Sequence, residues 1–192
     1  LRLAEARIIQ AARRTEGSVT VRALVDGREG QATTSDLSNA GLDACGSLAR
    51  QRATQLPIPS VALDLPTPAA LPPSPAGALD PETAALDETT KAAWLAEALA
   101  AHQADGLALA GRFHSGLMTF AVASTSGIDA YHQGSWSDLA LSALERPAGH
   151  GASSFRARFD RAIRPGDVQT MQAVVRDECH RARDPIAVPL GA

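Results

Sequence analysis

The stretch SVTVRALVDGREGQATT, residues 18–34, decides the fold class. Val19, Val21, Ala23 and Val25 alternate with Ser18, Thr20 and Arg22, the period of a strand with one apolar face. Asp26-Gly27 follows, and a two-residue turn of this kind needs positive φ at both positions, which Gly adopts without steric cost. Arg28 to Thr34 therefore reads as the returning strand of a hairpin. After it, Ser35 or Asp36 caps a helix that runs to about Thr54, with Leu37, Leu42, Cys45, Leu48 and Ala49 as its inner face. Before it, Leu1, Ala4, Ile8, Ala11 and Ala12 recur at helical spacing across residues 1–15, and Gly17 is a stop signal. The opening unit, residues 1–55, is expected to be helix, hairpin, helix.

Residues 56–82 hold eight of the twelve prolines. Fixed φ and missing donors exclude helix and central strand, so an extended crossing is expected, with Val61, Leu63 and Leu65 able to lie in a groove. Helical character returns from Thr83 to Ala104 through Leu86, Trp94, Leu95, Ala98 and Leu99. From Asp105 the period changes to two. Gly106 to His114, Met118 to Ser124, Ile128 to Gln133 and Trp136 to Leu144 read as short strands of a meander, parted by Ser115-Gly116, Thr125-Ser126-Gly127 and Gly134-Ser135. Pro147 to Ser154 reads as a loop, and Pro165 opens a last helix to about Ala182 with Val168, Met171, Val174, Val175 and Cys179 inward. Residues 83–184 thus form helix, meander, helix, and residues 185–192 look like the entry to a further domain. The expectation is an α+β fold in which helices cover one face of an antiparallel sheet.

Composition narrows the function classes. Of 192 residues, 45% are hydrophobic and 20% charged, which belongs to a globular chain. The net charge of -3 lacks the basic excess that phosphate-backbone binding needs, so nucleic acid is excluded as a direct partner. No apolar run reaches the roughly 18 to 20 residues that span a bilayer, so no membrane partner is expected. Cys45 and Cys179 read as reduced core thiols of an intracellular protein. The first residue is Leu1 rather than Met, and the chain reads as a piece of a longer protein.

No reaction centre emerges. His102, His114, His132, His150 and His180 show no H-E-x-x-H pattern, and Glu178 and His180, two apart on a helix, cannot face one ion. No G-x-S-x-G elbow surrounds any serine, and Ser115, Ser153 and Ser154 sit in turn-like composition. Asp80, Glu82, Asp87 and Glu88 gather where helix starts need negative charge. No phosphate loop can be drawn through Gly106, Gly111, Gly116 or Gly127. Arg156, Arg158, Arg161 and Arg164 with Phe155 and Phe159 read as a solvated face or a domain contact. Catalytic, cofactor-binding and metal-ligating residues are therefore all assigned as none.

Three stretches together carry a family likeness. Gly27-Arg28-Glu29-Gly30-Gln31-Ala32-Thr33-Thr34-Ser35-Asp36-Leu37-Ser38 resembles the glycine hairpin and helix entry near the start of TldD/PmbA proteins, also called TldD/TldE or modulators of DNA gyrase. Ala110-Gly111-Arg112-Phe113 through Tyr131-His132 is similar to that family's strand, turn and strand, with Ser124-Thr125 where the family has Asn-Ser. Asp177 to Ala192 resembles the end of its helix and the entry to its next domain. The likeness leans toward the PmbA/TldE type. It implies a cytoplasmic, non-catalytic amino-terminal domain of one subunit of a heterodimeric zinc metallopeptidase. The zinc would lie in a downstream domain or in a TldD-type partner subunit, and the substrate would be an unfolded peptide or a peptide-derived product. A standalone protein-binding adaptor without enzymatic activity is the alternative. A third reading, tailoring of a small peptide-like natural product, would need neighbouring genes.

Overall fold

In the computed structural model the described residues are 1–59, 61, 64–66, 68, 76–145 and 153–182. They form β1 (Arg2–Ala4), β2 (Arg7–Gln10), β3 (Val19–Val25), β4 (Arg28–Thr34), α1 (Asn39–Gln55), α2 (Pro81–Ala85), α3 (Glu88–Ala104), β5 (Leu107–Ala123), β6 (Asp129–Glu145), β7 (Ser153–Asp160) and α4 (Pro165–Arg181). The class is α+β, with two antiparallel sheets and four helices. Two compact units divide the chain, one of residues 1–13, 72–121 and 131–192, the other of 14–71 and 122–130.

The first unit holds a five-stranded sheet in the order β2-β1-β5-β6-β7. Leu107, Leu109 and Phe113 of β5 and Leu139, Leu141 and Ala143 of β6 alternate onto one face. There they meet Leu95 and Ala98 of α3 and Val168, Val175 and Cys179 of α4. Trp94 stacks on Phe113 with centroids 6.1 Å apart. Asp80 accepts from the Thr83 amide and Asp87 from the Thr90 amide, so each carboxylate caps a short-range helix start. The single helix expected over Thr83 to Ala104 is accordingly two, because Asp87 caps a new start after α2 ends.

The second unit is smaller. Its β3–β4 hairpin closes at Asp26 (φ 48°) and Gly27 (φ 73°), as the dipeptide predicts. α1 packs on the sheet through Cys45 and Ala49 against Ala32, with half-buried Val21 and Ala23 alongside. Gly30 makes this approach possible, since a Cβ there would stand 2.2 Å from the Ala49 carbonyl oxygen. The cap of α1 is Ser38, whose hydroxyl accepts from the Gly41 amide, and not Ser35 or Asp36. Asp36 instead accepts from the Ser38 amide, making the turn before the helix. Leu37 and Leu48, expected inside, are exposed.

The expected helix over residues 1–15 is absent. β1 and β2 form a second two-residue hairpin in its place, turning at Glu5 (φ 52°) and Ala6 (φ 56°). Tertiary pairing overrides the helical stripe: the Leu1 amine donates to the Phe113 carbonyl at 2.8 Å and the Phe113 amide returns a bond to Leu1 at 3.0 Å. Leu1 and Leu3 both enter the core.

The meander differs as well. β5 and β6 run unbroken for seventeen residues each, through Ser115-Gly116 and Gly134-Ser135. Those glycines mark close approach within strands: Gly116 lies under the Trp136 indole, and a Cβ at Gly111 would stand 2.0 Å from the Ala140 carbonyl oxygen. Only the turn at Thr125-Ser126-Gly127 survives. Its tip is tied by hydroxyls, with Ser124 Oγ accepting from the Ile128 amide and Ser126 Oγ donating to the Pro66 carbonyl at 2.9 Å. Ser153 and Ser154, expected in a loop, begin β7. Val61 is exposed. Leu63, Pro72, Pro73, Pro75, most of the loop at 147–154 and the segment 185–192 fall outside the described residues.

Candidate binding surface

The sheet of the first unit has a second face, opposite α3 and α4. β7 shows how the two faces separate. Arg156 and Arg158 turn toward α4, where Arg156 pairs with Glu178, and Arg158 reaches Asp167 at 2.5 Å and Asp160 at 2.8 Å. Phe155 and Phe159 alternate to the other side and stand 59% and 74% exposed. Across that side, Arg2, Ala110, Arg112, Ala140, Ser142 and Phe155 line a shallow cleft of about 330 Å³. Its floor is made of small side chains, and its ends carry guanidinium and phenyl groups.

Charge on this face is partly neutralised in place. Arg112 Nε donates to Asp138 Oδ2 at 2.6 Å, which raises the guanidinium's already high pKa. His114 Nδ1 stands 3.8 Å from the same oxygen. Burial, reinforced by the positive Leu1 amine, pushes the His114 imidazole below its ordinary value. No acidic partner is seen for Arg2 among the described residues.

The basic residues singled out from sequence are mostly spoken for. Arg164 forms a two-pronged pair with Asp80 at 2.7 Å for each oxygen. That pair, with the Thr83 amide, holds the Asp80 carboxyl well below the usual carboxylate range. Thr83 is fully buried and accepts from the Ile163 amide, and Ser135 Oγ donates to the Arg161 carbonyl at 2.7 Å while accepting from the Asp80 amide. The acids at 80 and 87 are caps, as their placement implies. Ser154 donates to Glu178 at 2.6 Å.

The histidines are dispersed. His102 is buried on α3, its Nδ1 bonded to the Ala98 carbonyl at 2.8 Å, and burial lowers its pKa. His180 Nε2 lies 3.2 Å from Asp105. His150 is outside the described residues. Cys45 and Cys179 are buried and form no disulfide with each other. Among the described residues no three His, Cys, Asp or Glu side chains converge on one point. No described helix is long and apolar enough to cross a membrane. What this arrangement can do is bind: a flat, small-residue floor with aromatic and cationic rims suits an apolar surface laid across it. The alternation F-R-A-R-F over residues 155–159 is the sequence signal that separates the two faces, and it requires reading those residues as a strand.

Residues 1–53 match the family described as PmbA/TldA metallopeptidase domain 1. No curated protein matches the chain. Among solved structures, TldE from Thermococcus kodakarensis superposes with a TM-score of 0.80 at 17% identity, over 95% of this chain and 42% of that one. A Thermotoga maritima protein described as a candidate modulator of DNA gyrase gives 0.63 at 16% identity, over 91% and 40%. A similarly described Bacteroides thetaiotaomicron protein gives 0.61 at 17%, over 83% and 39%. The chain spans less than half the length of each of these structures. Its first 53 residues are similar to the first domain of the PmbA/TldD family, and the fold of TldE extends over nearly all of the chain.

Proposed function

We propose that this chain is the amino-terminal, non-catalytic domain of one subunit of a heterodimeric zinc metallopeptidase, of the PmbA/TldE type rather than the TldD type. Its work is structural: it walls the chamber in which a partner or a downstream domain holds zinc and cleaves unfolded peptides or trims peptide-derived products. The observation that carries this reading is the pairing of a domain-1 family match over residues 1–53 with a fold that accounts for 95% of the chain but 42% of TldE. The arginines of β7 and of the start of α4, ion-paired within the chain, support a structural role. The bare face of the first sheet, with its alanine floor and exposed phenylalanines, is the kind of surface that another domain or subunit covers.

The parent protein, produced in the cytoplasm with and without a TldD-type subunit from the same source, tests this. Co-purification of the two, with cleavage of an unfolded peptide only when both are present, is the expected result. Cleavage by the parent alone, abolished by changing His114 or His180, would overturn it.

A further inference from the structure

The seam between α3 and α4 holds a buried group that the proposed function does not use. Leu95, Ala98 and His102 follow one another on a single face of α3, and all three are buried. The first two pack into the core cluster with Val175 and Cys179 of α4. His102 itself is 0% exposed. Its Nδ1 lies 2.8 Å from the Ala98 carbonyl oxygen, and because a carbonyl only accepts, Nδ1 carries the proton and Nε2 is the bare acceptor of a neutral ring. Nε2 is buried with no hydrogen-bond partner among the described residues. The nearby charges give a second proton little compensation. α4 contributes the Arg176 guanidinium and the His180 imidazole, and Asp105, the acid that ends α3, already faces both, at 3.7 Å from Arg176 and 3.2 Å from His180. The Cys179 thiol is the further titratable group that α4 buries here, and β5 brings the apolar Leu107 and Leu109 into the same cluster.

We propose that His102 is an acid-sensitive latch between α3 and α4: uncharged, it lets the two helices close over it, and protonated on Nε2 it parts their C-terminal ends. An imidazolium in that place carries an N–H without an acceptor and a charge without water, and opening to solvent relieves both. α3 passes through Asp105 and Gly106 directly into β5, which pins its end to the sheet, so α4 from Val175 to Arg181 is the side that yields. Burial holds the His102 imidazole below its ordinary value, so as pH falls the open form takes up the proton before the closed one. Closure is therefore complete above the ordinary histidine pKa of about 6.5 and is lost progressively below it. His180 acts in the opposite sense, because its protonation strengthens the contact with Asp105 that ties α4 to the end of α3.

The test is hydrogen exchange of the purified chain at about pH 7.5 and about pH 5.5, corrected for the intrinsic pH dependence of exchange, together with an NMR titration of the histidine rings. Amides of Val175 to Arg181 are expected to lose protection by about five- to tenfold at the lower pH, while those of Leu139 to Ala143 in β6 keep theirs. The His102 ring is expected to titrate below about 6.5. His102→Gln keeps a polar side chain that does not titrate and should remove the dependence, whereas His180→Gln should preserve it. If His102→Gln does not fold, the ring titration and exchange of the wild type decide. Protection of α4 that is equal at the two pH values, or a loss shared equally with β6, would overturn the proposal. So would a His102 ring that titrates at or above its ordinary value, or a pH effect that survives His102→Gln or vanishes in His180→Gln.

Discussion

β5 and β6 are one hairpin with two different lives. In the half nearer the helices, Leu107, Leu109, Phe113, Leu139 and Leu141 are buried under α3 and α4, and β1 and β7 cover the two edges. In the outer half the same strands carry Leu117, Met118, Phe120 and Tyr131 into solvent, with nothing of the described chain beside the β5 edge. Apolar content does not separate the halves, since both are strand-forming and largely apolar, with Arg112, Asp138 and Glu145 in the inner one and Asp129 in the outer. What separates them is coverage. The inner half is finished by its own chain, and the outer half has the character of a surface completed by another.

That contrast predicts an ordered set of outcomes. Phe113→Ala empties a fully buried site against Trp94 and should cost about 3–5 kcal/mol in chemical denaturation; a much smaller loss would mean the inner half is not a packed core. Asp80→Ala removes the cap of α2 and the carboxylate that pairs with Arg164, for about 1–2 kcal/mol at neutral pH. Because the folded Asp80 carboxyl sits below its ordinary value, the unfolded chain takes up the proton first as pH falls. The wild type should therefore lose stability through the ordinary carboxylate range around pH ~4 more steeply than the variant, as followed by urea titrations at several pH values. Ala6→Gly relieves a left-handed residue in the turn that seats β1 on the inner half, and should raise stability by about 1 kcal/mol. Phe120→Ser, in the outer half, should change the stability of the chain by no more than about 0.5 kcal/mol. If Phe120→Ser matched Phe113→Ala, the two halves would not differ as described.

How much of this was legible depends on which residues closed each turn. The β3–β4 hairpin could be read because Asp26-Gly27 announces positive φ. The β1–β2 hairpin adopts the same turn with Glu5-Ala6, which announces nothing, so its apolar residues were counted on a helical wheel instead. Gly111 and Gly116 misled in the opposite direction. They look like punctuation, but a neighbouring backbone and an indole ring need the space a side chain would fill. Asp80 and Asp87 were read correctly as helix-start charges, while their consequence, two helices rather than one, depends on where α2 stops. The bare face is not legible in the sequence, because only the strand β7 sorts Arg156 and Arg158 from Phe155 and Phe159, and its flanks are rich in turn-forming residues.

The claim that this chain is scaffold for a zinc site built elsewhere is tested most directly by its own metal content. The chain is purified, dialysed against a slight excess of zinc, separated from free ion, and its bound zinc measured by mass spectrometry. The account predicts far less than one ion per chain. One tightly held ion per chain, lost when His102, His114 or His180 is replaced, would contradict it.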